Sequence, residues 1–123
     1  MRILIADDDR AIVAGLSEYL SSVGHQVCTV ITGGLDVLPA CDRFHPDVVL
    51  MDVMMPRFNG ITISHALVSR NSGIKLVLCS GLIPPDHPFV TTAGVDAFLP
   101  KPFTFREARQ LLESLVPSAK VAA

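Results

Sequence analysis

Five short runs of apolar, mostly β-branched residues recur along the chain: Ile3 to Ala6, Val27 to Ile31, Val48 to Met51, Leu76 to Cys79 and Ala97 to Leu99. None alternates apolar with polar positions, so each predicts a strand covered on both faces. Helical spacing fills the intervals. Ile12, Leu16, Tyr19, Leu20 and Val23 form one stripe, with Gly24 placed as its C-terminal cap. Near the other end Thr104 and Glu107 predict a capping box, Ala108, Leu111, Leu112 and Leu115 a second stripe, and Pro117 its stop. Pro39 falls inside the second helical segment and predicts a kink or a late start there. Pro84, Pro85 and Pro88 leave room for a short fourth helix from about Asp86 to Ala93, the least stable part of the fold.

Strand and helix alternating five times predict an α/β fold: a parallel sheet with right-handed crossovers and helices on both faces. Ligands of such sheets sit at the carboxyl ends of the strands. There is no internal repeat and no low-complexity segment.

Size and composition narrow the functional classes. With 123 residues and 13.2 kDa the chain is one domain, too short for a multidomain enzyme. Half the residues are hydrophobic and 18% are charged, which excludes a disordered composition. Ten Lys and Arg against twelve Asp and Glu give a formal charge of −2, and no basic run is interleaved with aromatics, so no direct nucleic-acid partner is expected. Cys28, Cys41 and Cys79 fit neither a redox pair, a zinc knuckle nor a disulfide scaffold, and read as reduced core thiols. Three aspartates interrupt the first apolar run far short of the roughly 18 to 20 residues of a membrane span. The expectation is a cytoplasmic protein with neither export signal nor membrane anchor. His25, His45, His65 and His87 are scattered without metal-ligand spacing and read as structural or surface residues.

The chemistry lies just past the carboxyl ends of four of the strands: Asp7, Asp8 and Asp9 after the first, Asp52 after the third, Ser80 after the fourth and Lys101 after the fifth. A nucleotide-binding domain would place glycines or hydroxyls after its first strand, where three aspartates instead repel a phosphate. Carboxylates from adjacent strand ends stay ionised together only if a cation joins them, and oxygen-only ligands favour a hard ion such as Mg²⁺, here held by Asp7 or Asp8 together with Asp52. A lone Asp at a strand end is more often a turn or cap residue, Ser80 before Gly81 suits a plain turn, and Lys101 before Pro102 suits a solvated surface. Four such positions together match the demands of phosphoryl transfer: a carboxylate nucleophile, a cation, and donors around the transferred oxygens.

Ile3-Leu4-Ile5-Ala6-Asp7-Asp8-Asp9, the stretch from Asp47 to Pro56 with Asp52 inside it, Asn59-Gly60, and Phe98-Leu99-Pro100-Lys101-Pro102-Phe103 carry a resemblance to the receiver domain of two-component response regulators. The resemblance covers residues 2 to 117. It implies a doubly wound (βα)5, flavodoxin-like three-layer sandwich with strand order 2-1-3-4-5. It also implies a stand-alone, chemotaxis-regulator-like receiver domain over residues 1–117 with a short tail at 118–123. Position by position, Asp52 resembles the phosphoacceptor, and Asp7 and Asp8 the acidic pair that helps hold Mg²⁺, or Mn²⁺ in its place. The backbone carbonyl of Met54 resembles a third protein ligand. Lys101 would pair with the phosphoryl oxygens, Ser80 would hydrogen-bond them, and Phe98 would swing inward as the hydroxyl moves. A cis peptide between Lys101 and Pro102 is implied as well.

The implied partners are a sensor histidine kinase or histidine phosphotransfer protein and a downstream protein target, with a phosphorylation-dependent dimer left open. The domain would assist its own phosphorylation and dephosphorylation and turn over no external substrate. Gly81, the proline-rich segment from Leu82 to Pro88, and apolar Met54 and Leu82 two positions past Asp52 and Ser80 depart from the usual pattern. The last pair predicts a long-lived phosphorylated state, since neither can orient an attacking water. Asp9 reads as a first-turn residue favoured by the helix dipole rather than a ligand. Two rival readings remain: a small Mg²⁺-dependent phosphohydrolase with Asp7 as nucleophile, and a receiver-like interaction domain without phosphorylation.

Overall fold

The computed structural model describes residues 1–54, 60–70, 73–82, 86–88 and 94–116. Five strands, β1 (Arg2–Ala6), β2 (Gln26–Val30), β3 (Val48–Asp52), β4 (Lys75–Ser80) and β5 (Ala97–Pro100), pair in parallel in the order β2-β1-β3-β4-β5. The uninterrupted apolar runs of β1, β3 and β4 follow from this sheet having two covered faces, whereas β2, at the sheet edge, is not covered on both: Thr29 is exposed and Val27 and Cys28 half-buried. Leu4, Ala6, Val49, Met51, Leu76 and Leu78 enter one core layer, while their neighbours Ile3, Ile5, Val48, Leu50, Val77 and Cys79 enter the other. Successive side chains point to opposite faces, so every position must be apolar.

Among the described residues two helices cover each face. α2 (Val37–Phe44) and α3 (Gly60–Ser69) contribute Val37, Ala40, Ile63 and Leu67 to the first layer. α1 (Arg10–Ser22) and α4 (Phe105–Leu115) contribute Val13, Leu16, Leu20, Ala108 and Leu112 to the second. The result is the three-layer sandwich with strand order 2-1-3-4-5 that the resemblance implied. The chain winds to one side of β1 for β2 and to the other for β3, which opens a crevice at the carboxyl ends of β1 and β3.

Local signals account for the helix ends. The Asp9 side chain accepts hydrogen bonds from the N–H groups of Ala11 (3.1 Å) and Ile12 (3.2 Å), so it is the cap of α1 rather than a first-turn residue. Gly24, at φ 97°, takes the left-handed conformation just past the helix. The stripe of α1 is rotated relative to the expected one: Val13 is buried with Leu16 and Leu20, while Ile12, Tyr19 and Val23 are half-buried. Pro39 gives the late start: a 3₁₀ turn, Gly34–Asp36, leads into α2, where the proline sits in the first turn and its missing N–H costs nothing. Thr104 and Glu107 form the capping box of α4, with Thr104 Oγ1 accepting from Glu107 N–H at 3.0 Å. The short fourth helix expected from Asp86 to Ala93, the stop at Pro117 and the tail lie outside the described residues, apart from 86–88.

A polar cluster ties α4 to the start of the chain. Buried His25 meets Glu113 Oε2 through Nε2 (2.7 Å) and the Met1 amino group through Nδ1 (3.0 Å), and Arg109 Nε donates to the same Glu113 oxygen at 3.0 Å. Burial opposes ionisation of Glu113, but the hydrogen bonds from His25 and Arg109 outweigh it and hold its carboxyl below the usual range. That stabilisation is present above the carboxylate range and is lost as pH falls through it. Glu113→Ala, which leaves the buried imidazole short of a partner, is expected to cost about 1–3 kcal/mol in urea unfolding at neutral pH, and less in acid.

Candidate functional site

The ends of β1, β3, β4 and β5 each deliver a group to the crevice. Asp7 directly follows β1, and its N–H extends the ladder to the Val30 carbonyl at 3.0 Å, which fixes the backbone where the carboxylate begins. Register pairs Ala6 with Met51, so Asp7 and Asp52, one residue further along each strand, stand side by side. Val53 N–H bonds the Cys79 carbonyl (3.0 Å) and Lys101 N–H the Ser80 carbonyl (3.0 Å), which ties the end of β3 to β4 and the end of β5 to β4.

The side chains converge. Lys101 Nζ lies 2.8 Å from Asp7 Oδ2 and 3.5 Å from Asp52 Oδ2. The second oxygen of Asp7 accepts the Asp9 N–H at 2.9 Å, and the second oxygen of Asp52 accepts the Met54 N–H at 3.3 Å. Asp7 is 3% exposed and Asp52 7%, whereas Asp8 is exposed at the mouth. One carboxylate oxygen from each of Asp7, Asp8 and Asp52 falls within 4.8 Å of the others. Ser80, buried at the end of β4, accepts the Leu82 N–H on Oγ at 3.0 Å.

Three carboxylates against one ammonium leave the cluster at −2. Burial foremost, and then the charge of Asp7, push the Asp52 carboxyl above its ordinary range, and Lys101 and the Met54 N–H offset this only in part. Burial disfavours the charged form of Lys101, but the hydrogen bond to Asp7 and the charge of Asp52 prevail and raise it.

The donor set fits a hard divalent cation. Asp7, Asp8 and Asp52 offer oxygens alone, the ligands Mg²⁺ takes while keeping several waters. The Cys79 thiol, paired in register with Asp52, is pushed up to about 12, chiefly by burial, and supplies no thiolate. Added MgCl₂ is therefore expected to raise Tm progressively with its concentration, by the equivalent of about 2.7 kcal/mol at a hundredfold excess over Kd. Asp8→Asn should weaken that response, and NaCl at matched ionic strength should not reproduce it in differential scanning fluorimetry.

The remaining expected positions are distributed around this cluster. Phe98 is half-buried on β5, opposite Leu78 in register, and packs against the core layer of Leu76 and Leu78. The Lys101–Pro102 peptide is cis. Met54 brings its N–H to Asp52 and is itself 53% exposed. Pro56 and Asn59 lie outside the described residues. Sequence reasoning missed the apolar groove beside Lys101, lined by Ile12, Gly81, Pro102, Phe103 and Phe105. Its walls come from segments far apart in the chain, which no local pattern connects.

Comparison with known proteins places this arrangement. The family model described as the response regulator receiver domain matches residues 3–113. Response regulator MprA of Mycobacterium leprae (strain TN) is 35% identical over 121 residues, which are 98% of this chain and 53% of that protein. The chain thus spans about half the length of the curated relatives it matches. A CheY-like receiver domain protein from Methanospirillum hungatei JF-1 superposes with TM-score 0.83 at 27% identity, over 93% of this chain and 92% of that one. The BeF3-activated DrrB receiver domain gives TM-score 0.80 at 28% identity, over 93% and 95%.

Proposed function

This chain belongs to the response regulator receiver domains, signalling modules phosphorylated on aspartate, and on that premise we propose that Asp52 is the residue that takes the phosphoryl group. The carrying observation is the juxtaposition of buried Asp52 with Lys101, Asp7 and Asp8 at the open end of the sheet. A carboxylate oxygen of Asp52 attacks phosphorus as the bond to the donor's imidazole nitrogen breaks, giving an acylphosphate and a free histidine on the donor. Lys101, already poised between Asp7 and Asp52, turns its ammonium to the incoming phosphoryl oxygens. Asp7, Asp8, Asp52 and the Met54 carbonyl would hold Mg²⁺ (or Mn²⁺), which when bound would supply positive charge to those oxygens.

The Ser80 oxygen accepts from Leu82 N–H, which leaves its O–H to donate to the phosphoryl group. As Ser80 is drawn in, Phe98 rotates into the space it vacates and alters the surface around β5 that a downstream protein reads. The donor is a sensor histidine kinase or a histidine phosphotransfer protein in the cytoplasm, and the phosphorylated form is the one that would dimerise. Residues 1–117 form the module. Among the described residues no helix is long and apolar enough to cross a membrane.

Labelling by acetyl phosphate in Mg²⁺, together with turnover of p-nitrophenyl phosphate, tests the reading. Stoichiometric labelling without ester turnover is expected. Sustained ester hydrolysis that depends on Asp7 supports the phosphohydrolase, and no labelling at all supports an interaction domain without phosphorylation.

The rim of the site predicts how long the label lasts. Met54 is 53% and Leu82 77% exposed, and neither can accept a proton from water or orient it towards phosphorus. Phosphorylated protein stripped of donor is expected to decay over minutes to hours, and Met54→Glu to shorten its half-life about tenfold by placing an acceptor beside the acylphosphate. Decay within seconds in the wild type would contradict this.

A further inference from the structure

Edge strands invite pairing with another chain, and folded proteins guard them with charge, proline or a covering segment. β5 is guarded: it ends in Pro100 and is flanked by Asp96 and Lys101. β2, at the other end of the sheet, is not, since Gln26-Val27-Cys28-Thr29-Val30 holds neither a charge nor a proline. The Gln26 N–H bonds the Met1 carbonyl and the Val30 carbonyl accepts the Asp7 N–H, both at 3.0 Å, so these peptide groups face β1 and those of Val27, Thr29 and Ile31 face outward. Among the described residues nothing pairs with that outer edge. Beside it a groove of about 430 Å³ runs between β2 and α1, lined by Arg10, Ala14, Ser17 and Glu18 from the helix and by Thr29 and Ile31. Arg10 and Glu18 stand about 12 Å apart along α1, too far to pair with each other, and neither makes an ion pair among the described residues. Ala14 lies midway between them.

We infer that β2 pairs antiparallel with β2 of a second copy of this chain, across a two-fold axis perpendicular to the sheet at Thr29. Thr29 then meets the partner's Thr29, and Val27 meets the partner's Ile31, with about six main-chain hydrogen bonds exchanged. A two-fold axis in this direction keeps both α1 helices on the same side of the joined sheet, running antiparallel. Because Thr29 and Ala14 line the same groove, the axis passes near Ala14 as well, and Arg10 of each copy comes to stand beside the partner's Glu18. Small side chains at Ala14 and Ser17 leave room for the helices to approach. The exposed charge pairs add little affinity, but they reject a shifted register. The register set by the strand and the register set by the charges agree, and this self-complementarity makes the occupant a second copy rather than an unrelated strand. β2 lies at the opposite edge of the sheet from β5, so the pairing needs no phosphoryl group and is separate from the association of the phosphorylated form.

Sedimentation equilibrium of the unphosphorylated chain, from about 5 to 500 μM, tests the pairing. A single monomer–dimer equilibrium is expected. Arg10→Glu and Glu18→Arg should each weaken it about tenfold by setting like charges face to face, and the double charge swap should return it to within about twofold of wild type. Thr29→Lys, at an exposed position, should abolish it by placing two ammonium groups at the axis. Far-UV circular dichroism checks that each variant is folded, and if Thr29→Lys is not, the charge swap alone decides. The inference is overturned if the chain stays monomeric throughout, if association continues beyond the dimer, or if the dimer is indifferent to Arg10→Glu and Thr29→Lys. It is also overturned if the charge swap fails to restore what the single changes remove, or if a dimer forms only after treatment with acetyl phosphate.

Discussion

Asp52→Asn is expected to abolish acylphosphate formation from acetyl phosphate and from a histidine kinase, while the folded protein becomes more stable at neutral pH. The amide keeps the shape of the carboxylate, including an oxygen able to accept the Met54 N–H, but it has no nucleophilic charge. The stability change follows from linkage. Asp52 has a folded-state pKa above its unfolded value, so the native state binds more protons than the unfolded chain between the two values. Wild-type stability therefore falls as pH rises through that window. Asparagine removes this penalty, so its stabilising effect should be present at pH 7 and vanish in acid below the ordinary carboxylate range. Urea unfolding of both proteins across pH measures it, and a variant destabilised equally at every pH would contradict the electrostatic account.

Lys101→Met is expected to have the largest effect of opposite sign. It deletes the one ammonium between two buried carboxylates, 2.8 Å from Asp7 and 3.5 Å from Asp52, and leaves their repulsion unopposed. Loss of one partner from a largely buried ion pair costs about 2–4 kcal/mol. The deficit should shrink in acid, where the carboxylates protonate. It should also shrink in strong alkali, where the wild-type lysine, whose raised pKa keeps it charged longest, loses its own proton. Saturating Mg²⁺ should restore part of the lost stability through the remaining oxygens. Labelling should drop about a hundredfold even when the protein is held folded by Mg²⁺, because the charge that meets the phosphoryl oxygens is gone. Thermal unfolding with and without Mg²⁺, paired with labelling rates, separates the two effects.

Much of this architecture is legible along the chain because its signals are local. Val48 to Met51 reads as a doubly covered strand since each residue has only two directions to point and both faces of the sheet are covered. Thr104 and Glu107 announce a helix start within four residues. The site is legible for a related reason: in a parallel sheet every strand ends at the same edge, so Asp7, Asp52, Ser80 and Lys101 needed only their strands to be located. The features hidden from the sequence depend on packing between distant segments. Val13 rather than Ile12 faces the core because α1 rotates to meet β1, β3 and α4, and a stripe one residue off is nearly as good locally. Asp9 caps α1 while Asp7 and Asp8 face the crevice, a division of three identical side chains set by where the strand stops. The contact of Gly15 with Phe105 and the meeting of His25 with Glu113 join α1 and its neighbourhood to α4, and no spacing rule reaches that far.

The central claim is that the carboxylate at position 52 becomes the acylphosphate in a reaction that needs a divalent ion in the Asp7–Asp8–Asp52 pocket. Its most direct test is to treat the wild-type chain with acetyl phosphate in Mg²⁺ or in EDTA, trap the product with borohydride, and map the modified residue by peptide mass spectrometry. Modification at Asp52 alone, absent in EDTA, is the predicted result. Modification of another residue, or of Asp52 to the same extent in EDTA, would contradict it.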